Sequence, residues 1–237
     1  HELRTPLHSI ISFASFGIKK YTSAKPEKLL DYFSRIRQSG RTLLELLNDL
    51  LDLAKLESKK AVFTFEPTDV RGLVESMSNE LEALLSERHL EMRCAAIDFH
   101  EPIKLDSEKI KQVLRNLLNN AIKFSPQGGI IDVQIHGLDG VVRVSVLDQG
   151  PGIPLDELEV VFDKFVQSSK TKTGAGGTGL GLAICREIIT AHKGRIWAQN
   201  RPAGGAVFSF EIPMCIETNA ENQLLAVGAG SDTEPEQ

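Results

Sequence analysis

A predicted helix spans residues 106–124, which read DSEKIKQVLRNLLNNAIKF, and it determines how the rest of the chain is interpreted. Asp106 stands directly before the periodic segment and is a residue type that caps helix N-termini. Six apolar side chains recur at helical spacing and form one face: Ile110, Val113, Leu114, Leu117, Leu118 and Ala121. At about 100° per residue, Asn116, Asn120 and Lys123 fall in one narrow sector beside this face. The segment therefore predicts an amphipathic helix with a polar rim along its buried face.

Strand patterns occur before and after this helix. Alternation of apolar and polar side chains predicts two β-hairpins, over residues 130–135 with 141–147 and 194–199 with 206–212. The first hairpin turns at Asp139-Gly140. Residues 62–65 predict a short strand and residues 70–85 predict another helix. We expect an α+β fold in which helices cover one face of the sheet.

The first sixty residues predict two helices joined by a break at residues 23–26. Apolar positions in the second helix follow alternating steps of four and three, a heptad seam: Leu29, Phe33, Ile36, Gly40, Leu43, Leu47, Leu50 and Ala54. Further leucines widen this stripe: Leu44, Leu46, Leu51 and Leu53. Because a single hairpin would leave the stripe in water, we expect a homodimer that closes a four-helix bundle. Packing of the hairpin on the following domain is the alternative.

Composition excludes several classes of protein. The chain has 237 residues, 41% hydrophobic, and a formal net charge of −5, which fits one or two globular domains. These values exclude a collagen, a disulfide scaffold and a wholly disordered chain, and the mild acidity gives no reason to expect nucleic-acid binding. Cys94, Cys185 and Cys215 lie far apart without a CxxC pair. This argues against a disulfide framework or a zinc site and fits a reducing compartment.

Charge and pattern divide the chain into residues 1–60, 61–216 and 217–237. The first part carries 11 Lys and Arg against 7 Asp and Glu, whereas the last carries five acidic residues and no basic one. A disordered tail or linker is expected in that last part.

No apolar run is long enough to span a bilayer. Because the chain begins with His1 rather than Met, we expect a fragment of a longer protein, with any membrane segment lying outside it.

The polar rim of the predicted helix suits a metal-bound phosphate. The amide oxygens of Asn116 and Asn120 are hard neutral ligands for Mg²⁺, and the Lys123 ammonium is a point charge for phosphate oxygens. Asparagine and lysine are also common on helix flanks as plain solvated residues. The rim alone favours this second interpretation.

Two glycine-containing segments add to this pattern. Asp148 ends an apolar strand and is followed by Gly150 and Gly152, which would let the backbone approach a flat ligand; a simple Gly/Pro turn is the alternative. Residues 174–184 read GAGGTGLGLAI and open a helix, whose unpaired N–H groups suit anionic phosphates. The closing Gly-Lys-Ser/Thr of a P-loop is absent, and the glycines come too late for a dinucleotide fingerprint. The polar residues 167–173 are expected to form a mobile lid.

These segments resemble, in order, the motifs of sensor histidine kinases. Residues 114–124 resemble the N box of the family's ATP-binding domain, 148–153 the G1 box, 161–165 the F box and 177–184 the G2 box. Residues 1–7, which read HELRTPL, resemble the H box on the first helix of the dimerisation and phosphotransfer hairpin. The resemblance implies an α+β fold: a helical hairpin, forming a four-helix bundle when dimeric, followed by an α/β sandwich of the GHKL (Bergerat) type.

The resemblance also implies which residues would bind ATP and Mg²⁺. Asn120 would be the Mg²⁺ ligand, with Asn116 and Lys123 supporting the phosphates. Asp148 would accept a hydrogen bond from the adenine amino group. Phe162 and Phe165 would either hold the lid or simply pack in the core. The further nucleotide contacts would come from Gly150, Gly152, Ile153, Phe165, Gly177, Thr178, Gly179, Leu180 and Gly181.

On the hairpin, the resemblance makes His1 the phosphoacceptor, Glu2 the group that orients or deprotonates it, and Thr5 the holder of a water for reverse, phosphatase chemistry. An imidazole with an unperturbed pKa of about 6.5 is mostly neutral at pH 7 and can act as a nucleophile. Thr5 follows His1 by four residues and so shares its helix face. We interpret the remaining histidines as ordinary surface residues: His8, His89, His100, His136 and His192.

The implied function is the ATP-dependent protein-histidine kinase core of a two-component system. It would autophosphorylate His1 in the cytoplasm and pass the phosphoryl group to an aspartate of a response-regulator receiver domain, separate or fused. Related ATPases place a glutamate four residues before the metal-binding asparagine to activate water. Here Asn116 occupies that position, which favours transfer to a protein side chain over hydrolysis. A nucleotide-binding scaffold without transfer and a net phosphatase acting through Thr5 are the alternatives.

Overall fold

The computed structural model describes residues 2–58, 60–97, 99, 101–170 and 177–214, which form a helical hairpin followed by an α/β sandwich. None of the helices in these ranges combines the length and the apolar character needed to cross a bilayer.

The hairpin consists of helices α1 (Arg4–Lys20) and α2 (Pro26–Glu57). The buried Tyr32 of α2 packs against Phe13 and Phe16 of α1, with ring centroids 6.0 and 6.2 Å away. Both helices lie where the apolar periodicity predicts them.

The sandwich contains a five-stranded sheet and a separate two-stranded ladder. Its strands are β1 (Glu66–Thr68), β2 (Glu91–Ile97), β3 (Ile103–Leu105), β4 (Ile130–Leu138), β5 (Val141–Leu147), β6 (Arg195–Asn200) and β7 (Ala206–Pro213). The large sheet has the order β2-β4-β5-β7-β6, and β1 pairs with β3. β2 runs parallel to β4, whereas the other neighbours are antiparallel. Both predicted hairpins are confirmed.

Helices pack on one face of this sheet: α3 (Val70–Glu87), α4 (Ser107–Phe124) and α5 (Gly181–Ala191). Asp106 caps α4 as predicted, since its Oδ1 accepts a hydrogen bond from Lys109 N at 3.0 Å. All six apolar side chains of the α4 pattern are buried. The polar rim of α4 is therefore held at the edge of the core.

The strand predicted at residues 62–65 is wrong, because the first strand begins at Glu66. Thr64 N donates to Oδ2 of Asp106 at 2.9 Å instead of joining a ladder. Phe63 and Phe65 stack on each other with centroids 6.0 Å apart. The apolar and polar residues of this segment alternate because the segment packs on the sandwich as a connection. It is not a strand of a sheet.

The interpretation of His192 as a surface residue is also wrong, because its side chain is fully buried at the end of α5. Its Nδ1 donates to Ile188 O at 2.8 Å, and its Nε2 accepts from Asp106 N at 3.0 Å. These two partners require the neutral tautomer that carries the proton on Nδ1. Burial lowers the pKa of His192, and its ring forms T-shaped contacts with the rings of Phe63 and Phe65.

The leucine stripe of α2 contributes both to the core that it shares with the sandwich and to an exposed apolar face. Leu53 of the stripe, together with Leu56 three residues later, is buried in the same core as the sandwich. Leu44 and Leu51, by contrast, are 60% and 58% exposed in the single chain. The hairpin therefore packs on the following domain near its C-terminal end and still presents an uncovered apolar face.

Candidate functional site

A cavity of about 630 Å³ lies between α4, the loop after β5, the glycine-rich segment and α2. Ten residues predicted for the site line it: Asn116, Asn120, Lys123, Asp148, Gly152, Ile153, Gly177, Thr178, Gly179 and Gly181. Residues far apart in the chain thus share one cavity. Its volume lies in the range of small-molecule and cofactor sites.

Helix α4 supplies the polar wall of the cavity. Asn116 Nδ2 donates to the carbonyl oxygen of Gly181 at 3.1 Å, which ties α4 to the start of α5. Burial lowers the pKa of the Lys123 ammonium, which lies 4.7 Å from the centre of the Phe124 ring. Lys123 also approaches the glycine-rich segment, because a Cβ at Gly177 would lie 3.1 Å from its Nζ. A cationic group and amides therefore border the same space.

Asp148 ends β5 as a buried carboxylate at the cavity wall, only 5% exposed. Its Oδ1 accepts from Gly150 N at 2.8 Å and from Ala206 N at 3.0 Å. Burial raises the pKa of Asp148, while these two hydrogen bonds and Arg201 act in the opposite direction. Within the described residues no hydrogen bond reaches Oδ2, which leaves that oxygen as an acceptor for a ligand.

The glycine-rich segment turns sharply before α5. Gly179 has φ of +67°, and a Cβ there would lie 2.8 Å from the backbone carbon of Phe165. Phe165 N donates to Gly179 O at 2.9 Å, and Gln167 Nε2 donates to Gly177 O at 2.7 Å. The segment is thereby joined to the F-box region, and the N-terminus of α5 meets the cavity at Gly181. Backbone N–H groups at such a helix start favour an anion.

Three of the predicted contact residues do not line the cavity. Gly150 supports Asp148 through its backbone N–H, and Leu180 is fully buried in the core. Phe165 is 49% exposed and has φ of 62°. Phe162 packs in the core edge-to-face with Phe208, at a centroid distance of 6.2 Å. The glycines at 174 and 176 lie outside the described residues.

Helix α2 contributes residues that no sequence motif singled out. Gln38, Thr42, Glu45 and Asp49 line the cavity, one at each successive turn of α2. Asp49 Oδ2 accepts from the Thr178 hydroxyl at 2.8 Å, and burial raises the pKa of Asp49. The spacings of four, three and four residues between them place these side chains on one face of the helix, and this signal is present in the sequence. Because the side chains are polar, however, the face resembles one that is exposed to solvent.

Two further contacts join α2 to the sandwich outside the cavity. Gln112 Nε2 donates to Asp52 Oδ2 at 3.0 Å, and Lys164 forms an ion pair with Glu57. The hairpin thus closes one side of the cavity through its own polar residues.

Of the predicted phosphotransfer residues that the structure describes, Glu2 precedes α1 and Thr5 lies in its first turn. Glu2 and Thr5 are exposed and are not among the residues that line the cavity. His1 lies outside the described residues. The structure therefore brings ten of the predicted nucleotide-binding residues together in one cavity, whereas Glu2 and Thr5 do not line it.

The hairpin of β6 and β7, which the sequence predicted, also holds the loop after Asp148, and no sequence pattern points to that contact. Asn200, at the end of β6, bonds to both backbone polar groups of Ile153. Its partner lies 47 residues earlier in the chain. Only the antiparallel sheet brings the two positions together.

The donor set around the cavity fits a magnesium ion that arrives with phosphates. Among the described residues, no group of three or more His, Cys, Asp or Glu side chains could hold a metal by itself. Asn120 and its neighbours instead offer single neutral oxygens, and Mg²⁺ is commonly bound by one or two protein oxygens together with substrate phosphates. Cys185 takes no part, because burial raises the pKa of its thiol to about 12.

Comparison with known proteins agrees with this arrangement. Residues 1–59 match the family described as His Kinase A (phospho-acceptor) domain, and residues 105–216 match Histidine kinase-, DNA gyrase B-, and HSP90-like ATPase. Histidine protein kinase DivJ of Caulobacter vibrioides is 31% identical over 91% of this chain and 36% of its own length. Sensor histidine kinase WalK of Bacillus subtilis is 34% identical over 90% of this chain and 35% of its own length.

Solved structures give the same result. The structure of histidine kinase ThkA in complex with response regulator protein TrrA is 31% identical, covers 91% of this chain and 59% of that one, and has a TM-score of 0.75. The chain spans about a third of the length of the two curated relatives. With a phosphoacceptor hairpin, an ATPase sandwich and one cavity that unites the N, G1 and G2 boxes, this chain belongs to the histidine kinase family.

Proposed function

We propose that this chain is the ATP-dependent protein-histidine kinase core of a two-component system. It transfers the γ-phosphoryl group of ATP to His1, and the group then passes to an aspartate of a response-regulator receiver domain. The observation that supports this most is the single cavity lined by Asn120, Asp148 and Gly179 and closed by α2 of the phosphoacceptor hairpin.

The adenine base binds at the end of β5. Asp148 Oδ2 accepts a hydrogen bond from the adenine amino group, and the buried Ile153 packs on the flat base beside Gly152. The other oxygen, Oδ1, is already held by two backbone N–H groups, so the carboxylate keeps one orientation. A fixed acceptor distinguishes an amino group from a carbonyl at the same place on the base.

The triphosphate lies between α4 and the start of α5. The backbone N–H groups near Gly179 and Gly181 and the Lys123 ammonium face the phosphate oxygens. Asn116 acts indirectly, because its amide holds the Gly181 carbonyl at 3.1 Å. Asn120 would hold Mg²⁺, and the ion would supply positive charge that neutralises the charge developing during transfer.

The phosphoryl acceptor is the neutral imidazole of His1. The lone pair of one ring nitrogen forms the N–P bond while the bridging oxygen leaves with ADP and keeps the electron pair of the broken bond. The proton on the other ring nitrogen passes to Glu2, which also fixes the ring. Asn116 replaces the glutamate that would activate water, so that hydrolysis is disfavoured, and Thr5 serves the reverse, phosphatase reaction.

The chain functions as a homodimer in the cytoplasm, closed through the exposed leucines of α2. Leu44 and Leu51 form part of an apolar face that a second hairpin would cover. A response regulator is the natural acceptor, since the similar ThkA was solved in complex with one.

A transfer assay tests the proposal. The chain, given a helix-forming N-terminal extension so that His1 lies within a helix, is incubated with Mg-ATP labelled at the γ-phosphate. Acid-labile, base-stable label that is lost in His1→Gln supports a histidine kinase. Absence of label from a chain that demonstrably binds Mg-ATP contradicts it and favours a nucleotide-binding scaffold.

A further inference from the structure

The turn between β6 and β7 fixes the backbone of Ile153 through one side chain. Asn200 Oδ1 accepts from Ile153 N at 2.8 Å, and Asn200 Nδ2 donates to Ile153 O at 2.6 Å. The two partners define the orientation of the amide, because its oxygen must meet the N–H and its nitrogen must meet the carbonyl. Both backbone polar groups of a cavity residue thus depend on a single side chain.

The same turn fixes Asp148. Arg201 Nη1 donates to the carbonyl oxygen of Asp148 at 2.9 Å, and Ala206 N donates to its Oδ1 at 3.0 Å. Gly205, with φ of +95°, permits this approach, because a Cβ there would lie 2.1 Å from Asp148 O. The carboxylate and Ile153 are therefore positioned by one structural element, residues 200–206.

Asn200 does not itself line the cavity. It lies behind the loop, where a Cβ at Gly152 would come within 2.7 Å of its Oδ1. Its influence on a ligand must therefore pass through the loop. The amides of α4 and the start of α5, by contrast, have no hydrogen bond to this turn among the contacts of the described residues.

We propose that Asn200 is a positioning residue for the adenine base, acting through Ile153. The inference rests on the proposed function, since it takes the loop from Asp148 to Ile153 as the adenine site. Without the amide, the N–H and carbonyl of Ile153 lose their partners and the residue shifts relative to Asp148. Other residues hold the phosphate side of the cavity. The loss of nucleotide affinity therefore comes from weaker recognition of the adenine base.

Titration of the whole chain with ATP and with ADP, using Asn200→Ala, tests this. We expect Kd to rise about tenfold for both nucleotides, because two hydrogen bonds that order the loop are lost. The two fold-changes are equal, since the base is common to both ligands. Gln199→Ala is the matched control: Gln199 is the exposed neighbour on the same strand, and its Oε1 accepts a hydrogen bond from Trp197 Nε1 and not from the loop after Asp148.

Titration calorimetry also gives the number of binding sites per chain, which separates a positioning role from a folding defect. Unfolded protein lowers this number but leaves the Kd of the folded fraction unchanged. A Kd within about twofold of wild type at full stoichiometry overturns the role of Asn200. A variant that lowers only the number of binding sites also overturns this role. So does a variant whose Kd rises for ATP but not for ADP. If the unmodified chain binds neither nucleotide, the proposed function itself fails, and the inference falls with it.

Discussion

The Thr178 hydroxyl donates a hydrogen bond of 2.8 Å to Oδ2 of Asp49 and so joins the glycine-rich segment to α2. The same hydroxyl accepts from Leu180 N at 3.2 Å, at the turn into α5. Asp49 and Glu45 both line the cavity. Two carboxylates of the phosphoacceptor hairpin therefore border the space assigned to the triphosphate.

The first prediction concerns the charge of Asp49. Asp49→Asn is expected to tighten Mg-ATP binding by about two- to fivefold at low ionic strength, because it removes a negative charge from the cavity wall. The amide oxygen can still accept from Thr178, so the contact itself is kept. Titration calorimetry at low and high salt measures the effect, which should shrink as salt rises.

Asp52→Asn is the control for this variant. Asp52 lies on the same helix and accepts from Gln112 Nε2 at 3.0 Å, but it does not line the cavity. Its substitution should leave the affinity unchanged. Unchanged affinity in both variants would show that the nucleotide does not sense the hairpin charge.

The second prediction concerns Asn120. Asn120→Asp replaces a neutral oxygen ligand by a carboxylate beside the phosphates, and we expect Mg-ATP-dependent labelling to fall by about ten- to a hundredfold. Asn79→Asp, on the exposed side of α3, makes the same chemical change away from the cavity and should be neutral. Near-normal labelling in Asn120→Asp would remove this residue from the site.

The third prediction is a pH dependence of stability that arises from His192. Its pKa in the folded state is lowered by burial, so below the unfolded-state pKa of about 6.5 the unfolded chain takes up a proton that the folded chain does not. Stability from the neutral ring is fully present above that pH and is lost as the pH falls towards the lowered folded-state pKa. The slope contributed by this one proton is at most about 1.4 kcal/mol per pH unit.

Urea unfolding at several pH values between 5 and 8 measures this slope. His192→Gln should lower stability at pH 8, because the bonds to Asp106 and Ile188 are disturbed, and should flatten the dependence below pH 6.5. His89→Gln, at an exposed position, should leave the slope as in the wild type. An unchanged slope in His192→Gln would assign the proton uptake to another group.

The fourth prediction concerns the exposed leucines of α2. Leu44→Glu combined with Leu51→Glu places two charges on the uncovered apolar face, and we expect the dimer to dissociate to monomers. Light scattering after gel filtration measures the mass, and ADP titration shows whether the cavity survives. Arg37→Glu, at an exposed polar position of the same helix, should remain dimeric. A dimer that survives both glutamates would place the interface elsewhere.

Several features of this protein follow from local sequence because they depend on neighbouring residues. The spacing of apolar residues around Asn116 and Asn120 predicted α4, and Asp106 predicted where it begins, since caps and helix faces are set within one or two turns. The turn at Asp139-Gly140 predicted the hairpin of β4 and β5 for the same reason. The order of the boxes was sufficient to predict the family and ten of the residues that line the cavity.

Other features depend on residues that meet only in three dimensions. His192 lies 86 residues from Asp106 and Asn200 lies 47 residues from Ile153, so no local pattern could show that His192 is buried or that Asn200 holds the loop after Asp148. The polar stripe of α2 resembles a solvated face until Asp49 meets Thr178 across 129 residues. Helix periods and turns are short-range properties and can be read along the chain, whereas the partner of a buried polar group is chosen only when sheet and helices pack together.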